Sequence, residues 1–131
     1  IKDGKLHYVY NFLGIKPEQE FVSRPLTPGK HTLGMEFVRK ESGEYGESLG
    51  TTTLYVDGSP ADTGPMRAQL GKFTLAGDGL CVGYDSGDNV SDQYQNPGTF
   101  TGGSIAAVVI DVSSEAFVDL EREAAAALAR D

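Results

Sequence analysis

The sequence has one cysteine, few positive charges, no tryptophan and no long hydrophobic run. The single cysteine, Cys81, excludes a disulfide within the chain. Lysine and arginine number 11 against 19 acidic residues, which gives a formal net charge of −8. This charge argues against nucleic acid and anionic membranes as partners, because both would repel the chain. The longest apolar run, in residues 104–112, is far too short to cross a bilayer.

The common sequence motifs of catalysis are also missing. The chain contains no Gly-x-Ser-x-Gly elbow and no phosphate-binding loop. It has no Glu-x-Asp-x-x-Glu string, which would place two carboxylates in the cleft of a jelly-roll glucanase. Glu41, Glu44 and Glu47 are spaced by three, but they lie in a glycine-rich stretch that cannot hold them rigidly. We interpret them as solvated charge.

The histidines and the cysteine fit structural roles better than catalytic ones. His7 and His31 lie on different predicted strands, without the spacing of a metal pair. Cys81 stands in a strand-like run with no histidine nearby in sequence, which favours a buried, inert thiol. We therefore expect no catalytic residue in this chain.

Glycine and proline are abundant, and they separate short apolar runs. The chain has 17 glycines and six prolines, which favours many turns and many strands. Leu6, Tyr8 and Tyr10 show the period-two alternation of a half-buried strand. The pattern predicts about eight or nine strands and an all-β, antiparallel sandwich or barrel. The predicted strands lie in residues 5–11, 20–26, 31–40, 51–56, 59–64, 72–79, 80–85 and 99–112, and the last range holds two of them. Asp57-Gly58 is the predicted turn between the fourth and fifth strands.

The strand patterns also predict where side chains lie. His31, Leu33, Met35 and Phe37 fall on one face of the third strand. Core packing explains Tyr55 as it explains Tyr8 and Tyr10. By contrast, Tyr45, Tyr84 and Tyr94 lie in or beside loops and are the better candidates for exposed rings.

The N-terminal residues predict a truncated sandwich, and the C-terminal residues predict a helix. Asp3-Gly4 is a hairpin signal, but only two residues precede it, so we expect residues 1–112 to be a sandwich truncated at its N-terminus. Residues 113–131 predict an amphipathic helix with Ser113 or Ser114 as its N-cap. We expect this helix to pack on the sandwich or on a neighbouring domain, and a dimer contact is the alternative.

The stretch from Leu80 to Tyr94 contains three aspartates, Asp85, Asp88 and Asp92, among glycine, serine and asparagine. The spacing fails the EF-hand pattern, but a less regular loop in a lectin-like sandwich can bind calcium through side-chain and backbone oxygens. The alternative is a polar turn in which the aspartates bond their own backbone. We keep the three aspartates as candidate metal ligands, with calcium as the only cofactor considered for this chain.

Five stretches, taken together and in order, resemble one known module. They are KDGKLHYVYNFLG, PLTPGKHTLGMEFV, TLYVDG, VGYDSGDNVSDQY and FTGGSIAAVVIDV. They are similar to the C-terminal β-sandwich domain of bacterial arylsulfatases, which belong to the alkaline-phosphatase-like sulfatase family. The similarity covers nearly the whole of residues 2–112. It implies a jelly-roll, concanavalin-like or laminin-G-like sandwich.

The resemblance also implies where catalysis would occur. The family signature is Cys or Ser, any residue, Pro, any residue, Arg; its Cys or Ser becomes formylglycine, and a divalent metal, usually calcium, holds the sulfate. Cys81 and Ser23 both fail this pattern, so no catalytic residue carries over. The resemblance therefore implies an accessory domain, whose partner is an N-terminal catalytic sulfatase domain. It would stabilise that domain, line the substrate entrance or mediate homo-oligomerisation. The competing interpretation is a free-standing lectin-like module that binds glycans through a calcium loop.

Overall fold

The computed structural model describes residues 1–70, 79–95, 97–112 and 128–129. Within these residues the chain forms seven strands in three antiparallel sheets, ordered β1–β2, β3–β4–β5 and β6–β7. The all-β, antiparallel prediction is thus confirmed for this part of the chain. The strands are β1 (Lys5–Tyr10), β2 (Gln19–Pro25), β3 (Leu33–Ser42), β4 (Ser48–Val56), β5 (Ser59–Ala68), β6 (Tyr84–Asp85) and β7 (Gly98–Thr99).

Two Asp-Gly pairs form the predicted hairpin turns. Asp3 and Gly4 have φ angles of 50° and 70°, and Asp57 and Gly58 have 51° and 79°. Positive φ at both central residues is the type I′ conformation, whose twist matches that of the flanking strands. The first turn is closed by paired backbone hydrogen bonds between Lys2 and Lys5, both 3.0 Å long. The second turn joins β4 to β5.

The core lies between the two larger sheets. Phe21 on β2, Leu54 on β4 and Met66 on β5 are buried and form one cluster. Tyr8 and Tyr10 pack against this cluster, as the alternation along β1 predicts. The other half-buried side chains around it are Leu6, Phe37, Ala61 and Ala68.

Hydrogen bonds between backbone and side-chain groups also join β2 to β5. The backbone N–H of Val22 donates to Asp62 Oδ2 at 2.9 Å. Gln19 uses both ends of its amide: Nε2 donates to the carbonyl oxygen of Arg67 at 2.8 Å, and Oε1 accepts from the Arg67 N–H at 2.7 Å. The Gln19 side chain therefore occupies the edge of β5 much as another strand would.

The other outer strand of this sheet, β3, has a partner strand on one side only among the described residues. Its register places Leu33 opposite Val56, Met35 opposite Leu54 and Phe37 opposite Thr52. Cross-strand partners share a face of the sheet, so the three β3 side chains face the core side. The predicted common face of Leu33, Met35 and Phe37 is confirmed. However, Leu33 and Met35 are 36% and 43% exposed.

The region after residue 79 departs from the sequence prediction. The strand predicted over residues 80–85 is reduced to the two residues of β6, and the strands predicted over 99–112 do not form after Thr99. Residues 101–112 are exposed throughout. Strand preference depends on pairing and packing with neighbours, and no described strand pairs with these residues.

Two predicted elements lie outside the described residues. These are the strand over residues 72–79, apart from Gly79, and the helix over 113–131, apart from Leu128 and Ala129. In the part that the structure describes, no helix has the length and apolar character needed to cross a membrane.

Candidate functional site

The candidate site is the aspartate loop, residues 85–94, which leaves β6 and returns towards β7. The two short strands hold its ends together, with Tyr84 opposite Thr99 and Asp85 opposite Gly98. The N–H of Phe100 extends the pairing by donating to the carbonyl oxygen of Gly83 at 2.8 Å. The loop is therefore closed at its base by backbone hydrogen bonds.

Asp85 accepts hydrogen bonds from two other residues of its own loop. The Tyr94 hydroxyl donates a hydrogen bond to Asp85 Oδ2, and the Gly87 N–H lies 3.4 Å from Asp85 Oδ1. The Tyr94 oxygen also accepts from the Val90 N–H at 2.9 Å. Burial and the hydrogen bond to Asp85 raise the pKa of Tyr94 above its ordinary value, so this phenol remains a donor at neutral pH.

The Tyr94 ring lies close against Gly98, where a larger residue would collide with it. A Cβ atom at Gly98 would lie 2.8 Å from Cδ2 of Tyr94, closer than side chains ordinarily approach. Only glycine at this position lets the ring lie against β7 without a shift. Asn89 adds a contact from the loop itself, since its Nδ2 donates to the Tyr94 carbonyl oxygen at 2.6 Å.

Asp92 forms an ion pair with Lys16, which lies near the other end of the chain. Its Oδ2 lies 2.6 Å from Lys16 Nζ, although the two residues are 76 positions apart. Lys16 Nζ also donates to Glu18 Oε1 at 3.0 Å. The hydrogen bonds to Asp92 and Glu18 raise the pKa of Lys16. Because both Lys16 and Asp92 are largely exposed, solvent screens this pair and its contribution to stability is small.

Ser91 forms the buried part of the same contact. It is 4% exposed, and its hydroxyl donates to Glu18 Oε2 at 2.8 Å. Its oxygen accepts from the Gln93 N–H at 3.1 Å. Burial alone would raise the pKa of Glu18, but the hydrogen bonds from Ser91 and Lys16 lower it, so the carboxylate is stabilised in its ionised form. Asn11 adds a hydrogen bond from Nδ2 to the Val90 carbonyl oxygen, 2.9 Å long.

The three candidate metal ligands thus occupy different environments. Asp85 is half-buried and bound by Tyr94, Asp88 is exposed, and Asp92 is exposed and paired with Lys16. Across the described residues, no group of three or more His, Cys, Asp or Glu side chains is arranged to hold a metal ion. The contact from Gly87 to Asp85 has the form of the polar turn considered above. Calcium binding at Asp85, Asp88 and Asp92 stays a prediction.

A cavity of about 440 Å³ lies between the aspartate loop and β1. Its apolar wall is formed by Ile1, Val9, Val90, Phe100 and Ile105. Its polar lining includes His7, Asp85, Gln93 and Tyr94. A cavity of this size, with an apolar wall and a few polar groups, is typical of sites for small molecules.

The two histidines bind different carboxylates and do not meet. His7 Nδ1 lies 2.8 Å from Glu20 Oε1 on the neighbouring strand. His31 Nδ1 lies 2.8 Å from Asp57 Oδ2, and its Nε2 lies 2.6 Å from the carbonyl oxygen of Thr27. The hydrogen bonds to Asp57 and to Thr27 raise the pKa of His31, because both acceptors favour the doubly protonated ring.

Two expectations about single residues need correction. Cys81 is half-buried and lies outside any strand, because the predicted strand around it does not form. Tyr55 is not part of the core cluster that explains Tyr8 and Tyr10. Its hydroxyl donates to Glu36 Oε1 at 3.3 Å on the outer face of the sheet. Tyr45 and Tyr84 are exposed, as predicted.

Sequence reasoning missed the residues that hold the loop. Lys16, Glu18 and Asn11 contribute to it from a segment more than 70 positions away. No local pattern identifies such contacts. Tyr94 was identified as a residue beside the loop, but its binding to Asp85 was not.

Comparisons of the chain with models of known families, with curated proteins and with solved structures found no match.

Proposed function

We propose that this chain is a non-catalytic accessory domain of an arylsulfatase-like sulfuric ester hydrolase, built as a jelly-roll or concanavalin-like sandwich. Its partner would be a catalytic sulfatase domain in the same polypeptide. The five ordered stretches quoted above support the family assignment. The chain would act through its surfaces, by supporting the catalytic domain, lining the substrate entrance or mediating assembly.

The observation that carries this proposal is the exposure of residues 105–112. Val109 is 87% exposed, Val112 78% and Ile110 68%. Contiguous apolar surface of this kind marks a contact with another protein or domain, since leaving it in water is unfavourable. A contact surface is what an accessory domain contributes.

Under this proposal the chemistry comes from the rest of the polypeptide. Formylglycine would supply the nucleophile and a divalent metal would hold the sulfate group, both in the catalytic domain. The residues of this chain would then affect catalysis only by stabilising or orienting that domain.

Two measurements test the proposal. The coding sequence upstream of Ile1 should contain a long open frame with the motif Cys or Ser, any residue, Pro, any residue, Arg. The complete polypeptide should hydrolyse an aryl sulfate ester, whereas the purified 131-residue chain should not. Turnover in proportion to the amount of purified chain would contradict the proposal.

The cavity beside Asp85 favours a second candidate function, glycan binding by a lectin-like module. Tyr84 and Tyr94 line this cavity, and aromatic rings are common platforms for sugars. If calcium binds at Asp85, Asp88 and Asp92, added calcium should raise the melting temperature relative to chelator, because a ligand stabilises the state that binds it. Asp85→Asn should abolish that shift. An equal melting temperature in calcium and in chelator would count against this candidate.

A further inference from the structure

The C-terminal apolar segment, defined as residues 105–112, exposes its backbone as well as its side chains. None of its N–H or C=O groups forms a backbone hydrogen bond with another described residue. A partner that buries these side chains must also pair the backbone, because an unpaired polar group is costly when buried. A sheet edge satisfies both requirements at once, whereas a helix surface satisfies only the first.

Strand β3 offers such an edge. It is ten residues long, and it lies at the outside of its sheet in the described part of the chain. Leu33 and Met35 project from it on the core side but remain partly exposed, and Val38 is exposed on the opposite face. An added strand beside β3 would cover these side chains and extend the core by one strand.

The other edge of this sheet, formed by β5, is less available for pairing with an added strand. The Gln19 amide already binds the N–H and the carbonyl oxygen of Arg67 on β5. Strand β3 is therefore the better acceptor of the two outer strands.

The one charged residue of the segment decides which of its two faces fits the core side of β3. Its even-numbered residues are all apolar, namely Ala106, Val108, Ile110 and Val112. Its odd-numbered residues include the one charged residue, Asp111. Because alternate side chains of a strand point to opposite faces, the even set fits the core side. Asp111 would then lie on the outer face, where Glu36 lies on β3.

We propose that two copies of the chain associate by exchanging this segment, which pairs with β3 of the other copy in an antiparallel register. Val112 then lies opposite Leu33, Ile110 opposite Met35, and Val108 opposite Phe37. Each copy has one donor segment and one acceptor edge, so a reciprocal exchange between two copies satisfies both and closes as a two-fold dimer. This inference goes beyond the proposed function, because it names a second copy of the chain as the partner of the segment, and it does not depend on membership of the sulfatase family.

Disulfide trapping between copies tests the register. In a Cys81→Ser background, chains with Met35→Cys are mixed with chains with Ile110→Cys and oxidised gently. Directly opposed residues bring their Cβ atoms within disulfide range, so we expect a covalent heterodimer on a non-reducing gel. The matched control is Glu36→Cys with Ile110→Cys, whose side chains lie on opposite faces. Cross-linking of the control as fast as the Met35 pair would overturn the register and the proposal.

The oligomeric state tests the exchange itself. Sedimentation of the unchanged chain over a range of concentrations should show a monomer–dimer equilibrium. Val109→Pro removes a backbone donor and disfavours a paired strand, so it should raise the dimer dissociation constant about tenfold or more. Val109→Ala keeps the donor and should have a smaller effect. Far-ultraviolet circular dichroism confirms that both variants still fold. A chain that stays monomeric at its solubility limit overturns the proposal, and aryl sulfatase assays of the complete polypeptide judge the family assignment separately.

Discussion

Strands β1–β5 and the C-terminal apolar segment both carry apolar side chains suited to a strand, yet the two regions differ in what those side chains contact. The segment is apolar at seven of its eight positions. Leu54 and Met66 are 0% and 4% exposed, whereas Val109 is 87% exposed. In the first region, short turns bring each strand beside a neighbour that pairs with its backbone. In the second region no described strand lies beside the segment. An apolar stretch of strand-forming residues therefore becomes a strand only where a partner edge is present.

The largest expected difference between the two regions is in the cost of shortening a side chain. Leu54→Ala should lower the free energy of unfolding by about 2–5 kcal/mol, because it leaves a cavity among Phe21 and Met66. Val109→Ala should change it by less than about 0.5 kcal/mol, since the side chain is exposed. Urea denaturation of both variants measures the difference. Similar losses for the two would show that Val109 is buried in solution.

A substitution in the short β6–β7 sheet should loosen the aspartate loop and leave β3–β5 unchanged. Gly98→Ala places a methyl group against the Tyr94 ring, and overpacking of this kind costs about 1–3 kcal/mol. We expect faster amide hydrogen exchange in residues 84–94 and no change in β3–β5. Gly103→Ala is the matched control, since its Cβ would lie an ordinary 3.7 Å from the Phe100 ring. Equal exchange in both variants would mean that the ring does not lie against Gly98.

The contact between the aspartate loop and the connection from β1 to β2 gives a smaller effect. Ser91→Ala removes the hydroxyl that binds Glu18, and loss of a buried hydrogen bond costs about 1–2 kcal/mol. Ser104→Ala, at an exposed position, should be neutral within about 0.5 kcal/mol. Both are measured by urea denaturation. A neutral Ser91→Ala would mean that the aspartate loop is not docked on residues 11–18 in solution.

The smallest effect concerns pH and the pair His31–Asp57. The hydrogen bond to Asp57 raises the pKa of His31 above 6.5, so its contribution is fully present below pH 6.5 and is lost as pH rises through the raised value. The pKa of Asp57 is lowered below 3.8 by His31, so its contribution is present above pH 3.8 and is lost as pH falls through the lowered value. The difference in melting temperature between the unchanged chain and His31→Ala should therefore be largest between these limits. Lys30→Ala, an exposed neighbour, should show no such pH dependence.

The sequence was sufficient to predict strands β1–β5. The alternation in β1 and the Asp57-Gly58 turn between β4 and β5 are predicted correctly, because both signals are local. The core positions of Tyr8 and Tyr10 follow from the same alternation. The prediction for Tyr55 was wrong because alternation alone does not say which of two faces is buried.

The second region and the candidate site could not be predicted in the same way. Whether residues 105–112 form a strand depends on an edge that no local pattern reveals. The aspartate loop shows the same difficulty, since Asp92 is bound by Lys16 and Ser91 binds Glu18. Three nearby aspartates suggest a metal site, but their positions depend on side chains that are far away in the sequence.

The hydrogen bonds of Asp57 also affect the chemical stability of the Asp57-Gly58 pair. Aspartate followed by glycine is prone to isomerise, because the glycine nitrogen can attack the side-chain carboxyl group and form a succinimide. At Asp57 the two carboxylate oxygens are bound by His31 Nδ1 and by the Thr32 N–H, each at 2.8 Å. The lowered pKa keeps this carboxyl group ionised, which makes it a poorer target for that attack. These contacts therefore disfavour a chemical change that would insert an extra carbon into the backbone of the turn between β4 and β5.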